Sequence, residues 1–439
     1  MSESLSRTTW QEKIVYFHLR GGTGLSRTLD TSERASKMIR MFHTTMIVPI
    51  LILLSLEMCG MVSHLCSSPI SLQKVILTLN FGWLFFGNFV VQYIFLVRQF
   101  RYIVCLHNIS DPDLYCYGDR VKGFMLYKNK ITDSFLVCML VFMYSLGIFN
   151  GIVSPILRFG LDFDDWFIVI PMWYPIDVTS SRRVFWFVLL FETVIIWYLS
   201  FVFATVGVLY MHTILSIRAE FETLNQYLEN DGRGHSSQTQ EPLFKTSEEV
   251  GWKPKTIFDL GMFNNTGFSD DFDGNCSHLK RVIQDWQTLR GHAKLTGEIF
   301  AVYYTAAYVL GAATITIMAY AVIYTIRTTE SMGKMISETA MYFSWMVGTT
   351  GHLGLLSLTT NLFQNTYDDT RITLGEGNWH EKSMKYKKIF LSFTLALNRS
   401  FQMKALTFVP VDLRQFSNII SRSFTNFRFL YELPTSKYS

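Results

Sequence analysis

Charge is what this 439-residue chain has least of: Asp, Glu, Lys and Arg make up 17% of it, below the roughly 25% usual in soluble domains. The motifs of common enzyme chemistry are missing as well. No glycine-rich phosphate loop, dinucleotide fingerprint or zinc-ligand spacing occurs, and His380-Glu381 is not followed by a second histidine at metal-binding distance. An enzymatic reading therefore has no residues to stand on, and no cofactor or metal is expected. No internal repeat is visible, which weighs against a secondary transporter built from paired repeats. The first forty residues hold no early apolar run ending at a small-residue cleavage site, so the first span is expected to act as its own insertion signal.

What is present is apolar. Hydrophobic residues make up 49% and aromatics 15% of the chain. The segments 75–97, 134–157, 299–326 and 339–367 contain no acidic or basic residue at all. A bilayer core of about 30 Å needs about 20 apolar residues in a helix, and each of these runs is long enough. Three further spans are less pure: 46–65 carries Glu57, 184–214 carries Glu192, and 389–433 is interrupted by Arg399, Lys404 and Pro410. The expectation is an all-α membrane protein with seven transmembrane helices.

Basic residues near span ends favour the cytoplasm. The segments before span one, between spans two and three, and between spans six and seven are rich in them, from Arg7 and Lys37 through Arg98 and Lys130 to Lys387 and Lys388. The alternating loops are poor, with Lys74, Arg158, Arg182, Arg183, Arg327 and Lys334. The N-terminus is thus predicted inside and the C-terminus outside, the reverse of a G-protein-coupled receptor. The Asp-Arg-Tyr and Asn-Pro-x-x-Tyr motifs of such receptors are also missing. Only Cys66 of the six cysteines falls in an external loop, so no external disulfide within the chain is expected. The N-x-S/T sequons at Asn108, Asn264 and Asn275 fall in cytoplasmic segments and read as chance matches.

These signals divide the chain into a cytoplasmic segment 1–45 and spans one to four over 46–211. A long cytoplasmic segment 212–296 and spans five and six at 297–367 follow. The seventh span is split into a cytoplasmic part at 368–409 and a helix at 410–433, with an external tail at 434–439. The middle of the long segment, DGRGHSSQTQEP at 231–242, has the composition of a flexible loop. Its flanks, 215–228 and 279–295, carry apolar residues at three- and four-residue intervals. Spans four and five should therefore continue into the cytoplasm as helices, with a disordered loop as the alternative. The external loop 158–183 combines four aspartates with Trp166, Phe167, Trp173, Tyr174, Pro171 and Pro175, and suits either a lid over an apolar site or an interfacial aromatic belt. Glu57 is expected to bond a neighbouring helix and Glu192 to reach the interface. Gly348, Gly351 and Gly354 permit close helix approach in span six, with a hinge as the alternative.

Pro410 must break the last span, because proline lacks an amide donor and disfavours helix just before it. Beyond it, Arg414, Asn418, Arg422 and Asn426 recur every four residues, with Phe429 and Leu433 roughly continuing the stripe. Arginine facing lipid is expensive, so this face should meet water or other subunits; pairing with headgroups or Asp412 is the alternative.

The stretch 387–433, KKIFLSFTLALNRSFQMKALTFVPVDLRQFSNIISRSFTNFRFLYEL, resembles the last helix of the insect odorant-receptor family: a basic start, a polar-basic centre, the loop Thr407 to Val411 and a final Ser/Phe-rich run. The external Ile170-Pro171-Met172-Trp173-Tyr174-Pro175 is similar as well, and length and topology match across nearly the whole chain. The signature Thr-Tyr-x-x-x-x-x-Gln-Phe of the related gustatory receptors, which often form homomers, is absent. The resemblance implies an odorant-binding subunit of a heteromeric, non-selective cation channel in the plasma membrane of an olfactory neuron dendrite, a tetramer shared with coreceptor subunits. It also implies a cytoplasmic anchor from the inner ends of spans four to seven, and a pore helix in the second part of span seven. Matched to the coreceptor's pattern, Phe429 and Leu433 take the gate positions and Glu432 the polar position between them, with Asn418, Arg422 and Asn426 on the pore stripe. The departure is in charge, since the coreceptor's pore helix is largely apolar and four copies of Arg422 and Arg428 would repel one another.

The resemblance places a pocket for a small volatile ligand among spans two to six in the outer half of the membrane. Such a pocket should be aromatic with few polar groups. The candidates are Phe81, Trp83 and Phe85 in span two, Phe149 and Asn150 in span three, and Phe187, Phe191 and Ile195 in span four. Tyr320 in span five and Met341, Tyr342 and Trp345 in span six complete the set, with Tyr324 nearby. Tyrosine hydroxyls and Asn150 could bond an ester, alcohol or carbonyl oxygen; ordinary packing or lipid contact is the alternative for each.

Overall fold

The computed structural model describes residues 180–231, 274–329, 332–398, 401–405 and 408–432, together with single positions between 55 and 174. Three long helices dominate this part: α1 at Arg182–Asp231, α2 at Gly274–Thr328 and α3 at Met332–Glu376. Two shorter ones follow, α4 at Met384–Leu397 and α5 at Leu413–Glu432, with a 3-10 turn at Trp379–Glu381. Among the described residues the fold is all-helical apart from one ribbon of two-residue strands, β1 Lys404–Ala405 and β2 Val409–Pro410.

The 55 residues of α2 reach roughly 80 Å at about 1.5 Å per residue. That is more than twice the ~30 Å apolar core of a bilayer. Its segment Val282–Thr328 has the length and hydropathy to cross one. The polar flanks of the long fourth-to-fifth segment are thus helical, α1 and α2 running through them without a break. In α1 the buried stripe Tyr210, Ile214, Ile217, Phe221, Leu224 and Leu228 steps at three- and four-residue intervals, the period of one helix face. α2 answers with Leu279, Val282, Ile283, Trp286, Leu289 and Ala293, all buried.

Aromatic rings knit this polar-flanked end together. Phe221 meets Phe363 and Tyr367 edge-on at 5.8 and 5.5 Å between centroids, and Trp286 meets Phe393 of α4 at 5.4 Å. Trp379 stacks on Phe390 at 4.9 Å, and the Arg290 guanidinium lies 5.1 Å over Trp286. Arg218 donates to Thr366 at 3.2 Å and pairs with Glu222 at 2.7 Å, while Asn225 donates to the Thr366 carbonyl at 3.2 Å. Burial holds the His292 imidazole, inside this same end, well below its usual range, at about 4.

α3 continues through Glu376, so residues 368–376, assigned from sequence to the last span, extend the sixth helix instead. The basic piece before Pro410 is also shorter as a helix than its composition suggests. α4 opens on Ser383, whose hydroxyl accepts from the Tyr386 amide, and closes at Leu397. The chain then turns through the ribbon, in which Lys404 pairs with Pro410 and Ala405 with Val409. The Val411 amide donates to the Met403 carbonyl at 2.9 Å. The helix ends thirteen residues before Pro410, so the proline bars a continuous helix into α5 but does not itself end α4, and the ribbon satisfies backbone groups that would otherwise be left unpaired. α5 restarts on Asp412, whose Oδ1 accepts from the Gln415 amide at 2.7 Å.

Candidate functional site

On α2 and α3, four of the residues expected to line a pocket pack against one another. Met341 and Tyr342 are buried with Met318 and Ala321, and Tyr320, Trp345, Ile317, Val322 and Met346 pack around them. Tyr320 stacks on Tyr324 at 6.2 Å. The spacing 341, 342, 345 puts these side chains on one side of α3, against the 317–322 turn of α2.

On α1 the candidates separate. Ile195 is buried at 5% exposure, whereas Phe187 is 71% and Phe191 37% exposed. The helix turns about 100° per residue, so the face holding Ile195 takes Phe185, Val188 and Glu192 with it, and Phe187 looks away from the bundle. Phe149 lies half-buried on the third-span helix. Phe81, Trp83, Phe85 and Asn150 lie outside the described residues, as does Glu57.

Glu192 departs from its expected place at the interface. It is fully buried, at 0% exposure, and its Oε1 accepts the Tyr174 hydroxyl at 2.5 Å. Phe185 and Val188 form an apolar cluster beside it, with Tyr174, Val184 and Leu189 packed on them. The sequence signal was the lone acid in an apolar helix; Tyr174, eighteen positions earlier, stood out as a loop aromatic but not as its partner.

A ladder of buried polar pairs joins α2 to α3. Tyr303 bonds His352 Nε2 at 2.7 Å, and Tyr308 bonds Ser357 at 2.5 Å. Tyr210 of α1 bonds Thr360, and the Tyr210 and Tyr304 hydroxyls both point at the Met403 sulfur, at 3.7 and 3.3 Å. α1, α2, α3 and the segment before α5 thus meet at one buried point. Sequence reading missed this joint, although His352 standing in an uncharged run was a usable signal.

α5 leans on α2 and α3 with one face. Ile419 and Ser423 are buried there, Phe416, Ile420 and Phe427 half-buried, and the Ser423 hydroxyl donates to the Ala312 carbonyl at 3.3 Å. The opposite face carries Arg414, Asn418, Arg422 and Asn426, all exposed, followed by Phe429 at 67%. Glu432 closes the helix and Leu433 lies outside the described residues. The glycine row of α3 serves close packing. A Cβ on Gly354 would stand 3.4 Å from Phe416 of α5, and one on Gly351 would stand 3.1 Å from Phe142 of the third span. Among the described residues, no cluster of His, Cys, Asp and Glu could hold a metal.

The family model described as the seven-transmembrane odorant receptor matches residues 125–424. No curated protein matches the chain in sequence. Two structures of one insect olfactory receptor are among the solved structures that share its fold. The insect olfactory receptor OR5 from Machilis hrabei in complex with eugenol has a TM-score of 0.71 at 12% identity, covering 97% of this chain and 98% of that one. A second structure of OR5 from Machilis hrabei has a TM-score of 0.72 at 12% identity, covering 98% of this chain and 99% of that one.

Proposed function

The chain belongs to the insect odorant receptor family, a family of multi-pass membrane proteins of olfaction that are ligand-gated channels and not enzymes, and from that premise we propose that it is the odorant-binding subunit of a heteromeric cation channel. In this reading its N-terminus is cytoplasmic, its C-terminus external, and it sits in the plasma membrane with coreceptor subunits, as a tetramer. The observation that carries the reading is the two-faced α5, apolar where it packs on α2 and α3 and lined by Arg414, Asn418, Arg422 and Asn426 on the other side. An exposed polar face on a helix of one bilayer length suits a water-filled pore shared between subunits. Asn418, Arg422 and Asn426 line that pore, and Phe429, Glu432 and Leu433 form its outer constriction.

The ligand site is the apolar region of spans two to six. Met341, Tyr342, Trp345 and Tyr320 form its packed wall on α2 and α3, Ile195 its α1 side, and Phe149 its third-span side. Phe81, Trp83, Phe85 and Asn150 belong to the same site from the second and third spans. Phe187 and Phe191, turned outward on α1, contribute to it only if a neighbouring element covers them. Ligand bound against α2 and α3 bears on α5 through the same two helices. The polar-flanked ends of α1 to α3, together with α4, make the cytoplasmic anchor.

The test is whole-cell current from cells expressing this chain, the coreceptor, or both, against volatile esters, alcohols and terpenoids. Odorant-evoked cation current in the pair alone, insensitive to G-protein blockade, is the expected result. Current from this chain by itself would overturn the tuning-subunit assignment in favour of a homomeric channel. A response abolished by G-protein blockade would overturn the channel reading.

A further inference from the structure

Met403 stands between α4 and α5, and its side chain is buried together with Tyr210, Tyr304 and Thr360. One residue thus meets α1, α2 and α3 at a single point. The Tyr304 hydroxyl donates to the sulfur at 3.3 Å, and the Tyr210 hydroxyl reaches it at 3.7 Å. Tyr210 also pairs with the Thr360 hydroxyl, whose own proton goes to the Leu356 carbonyl at 2.9 Å. The Tyr210 proton is therefore shared between Thr360 and the sulfur, which leaves Tyr304 as the sulfur's principal donor. The two phenol rings meet edge-on at 4.9 Å, and their hydroxyls interact with each other as well.

The backbone carries this joint directly to α5. The Met403 carbonyl accepts from the Val411 amide at 2.9 Å, and Ala405 pairs with Val409 across the ribbon. Val411, itself buried, precedes the Asp412 that caps α5. Where the Met403 side chain sits thus sets where α5 begins. The joint is far from the proposed ligand site. Tyr304 lies thirteen positions from Ile317 on α2, and Thr360 fifteen from Trp345 on α3, which at about 1.5 Å per residue is roughly 20 Å. A small volatile molecule held at that wall does not reach the sulfur.

We propose that Met403 is a positioning residue for channel opening: its thioether, held by the Tyr210 and Tyr304 hydroxyls, couples α1, α2 and α3 to the base of α5 without touching ligand. Methionine sulfur is a weak acceptor, so the contact is worth about one net hydrogen bond at most. Removing it shifts a balance between two arrangements of α5 rather than unfolding the joint. The inference rests on the channel reading and adds to it the residue that carries a change in the bundle to the pore helix.

The experiment is single-channel recording at saturating odorant, on the full chain expressed with the coreceptor, because it reads open probability separately from the number of channels. Met403→Leu keeps the side-chain volume and removes the acceptor, while the two phenols still have each other as partners. Its open probability should fall about fivefold, the scale of one net hydrogen bond. Unitary conductance should stay unchanged, and the half-maximal concentration should move by less than about threefold for chemically unlike odorants. Tyr304→Phe keeps the ring, removes the principal donor and should lower open probability in the same way; it carries the test if Met403→Leu fails to reach the surface. The double variant should be no lower than Met403→Leu alone, because both substitutions cut one contact. Fewer channels at an unchanged open probability would overturn the proposal, as the mark of a residue that only supports the fold. So would losses that multiply in the double variant, or a half-maximal concentration that moves for some odorants and not for others. Each of these results leaves the channel reading standing. Absence of any odorant-evoked current from the wild type with the coreceptor would instead sink that reading, and this inference with it.

Discussion

Gly311 shows how tightly α2 and α3 approach. A Cβ built there would stand 2.5 Å from Leu353 Cδ1, with Cγ and Cδ2 at 3.1 and 3.3 Å. Leu353 is buried, so its whole isobutyl group would have to move rather than one methyl swing away. Gly311→Ala should therefore destabilise the detergent-solubilised protein by about 1–3 kcal/mol, the usual range for overpacking. Adding Leu353→Ala should recover part of that loss in the same thermal melt; strict additivity of the two losses would argue against the contact. His292 gives a pH dependence whose sign is set by its burial. Its folded value of about 4 lies below the ordinary value of 6.5, so the unfolded chain binds the extra proton between those two pH values. The stability from keeping it neutral is complete above pH 6.5 and is lost as pH falls towards 4, by roughly 3 kcal/mol at most. His292→Gln should flatten the fall in melting temperature over that window, and an unchanged slope would place the sensitivity elsewhere.

At the scale of elements, α5 depends on how it starts. Asp412 accepts from the Gln415 amide and also puts a negative charge at the helix N-terminus. Asp412→Ala should cost about 1 kcal/mol, and Asp412→Asn much less, because asparagine retains the cap. If both substitutions lowered the melting temperature equally, the charge rather than the hydrogen bond would be responsible. The break before α5 was legible because Pro410 excludes a continuous helix whatever its surroundings. The ribbon that fills the break was not, since two-residue strands leave no periodicity to read. The extension of α1 and α2 was legible from apolar spacing at 215–228 and 279–295, which recurs at helical intervals despite the polar context. The end of α3 was missed by nine positions because charge-free composition stops at Tyr367 while the helix, held by Thr370 and Leu374 in the core, goes on to Glu376.

For the whole molecule, the proposed channel reading makes the arginines of α5 bear on assembly. Four identical subunits would bring four copies of Arg422 and Arg428 around one axis, and like charges at close range repel strongly where water is scarce. In a mixed channel fewer copies meet. The double substitution Arg422→Gln/Arg428→Gln should therefore allow odorant-evoked current from this chain expressed alone, where the parent gives none. Continued silence with normal surface expression would leave the arginines without that role.

The membrane-spanning helical class, the split of the last span and the long helical extensions were determined by the sequence alone. Each follows from a local quantity: charge-free length, one proline, or the spacing of apolar residues. Which side of each helix faces inward was decided only by tertiary structure. In an apolar span every face is hydrophobic, so Phe187 and Ile195 read alike until packing turns one outward and the other in. The Tyr174–Glu192 bond, the tyrosines converging on Met403 and the contact of Gly354 with Phe416 belong to the same category. Each joins residues far apart in the chain, and no local pattern encodes a distance between two segments that meet only after the helices have packed.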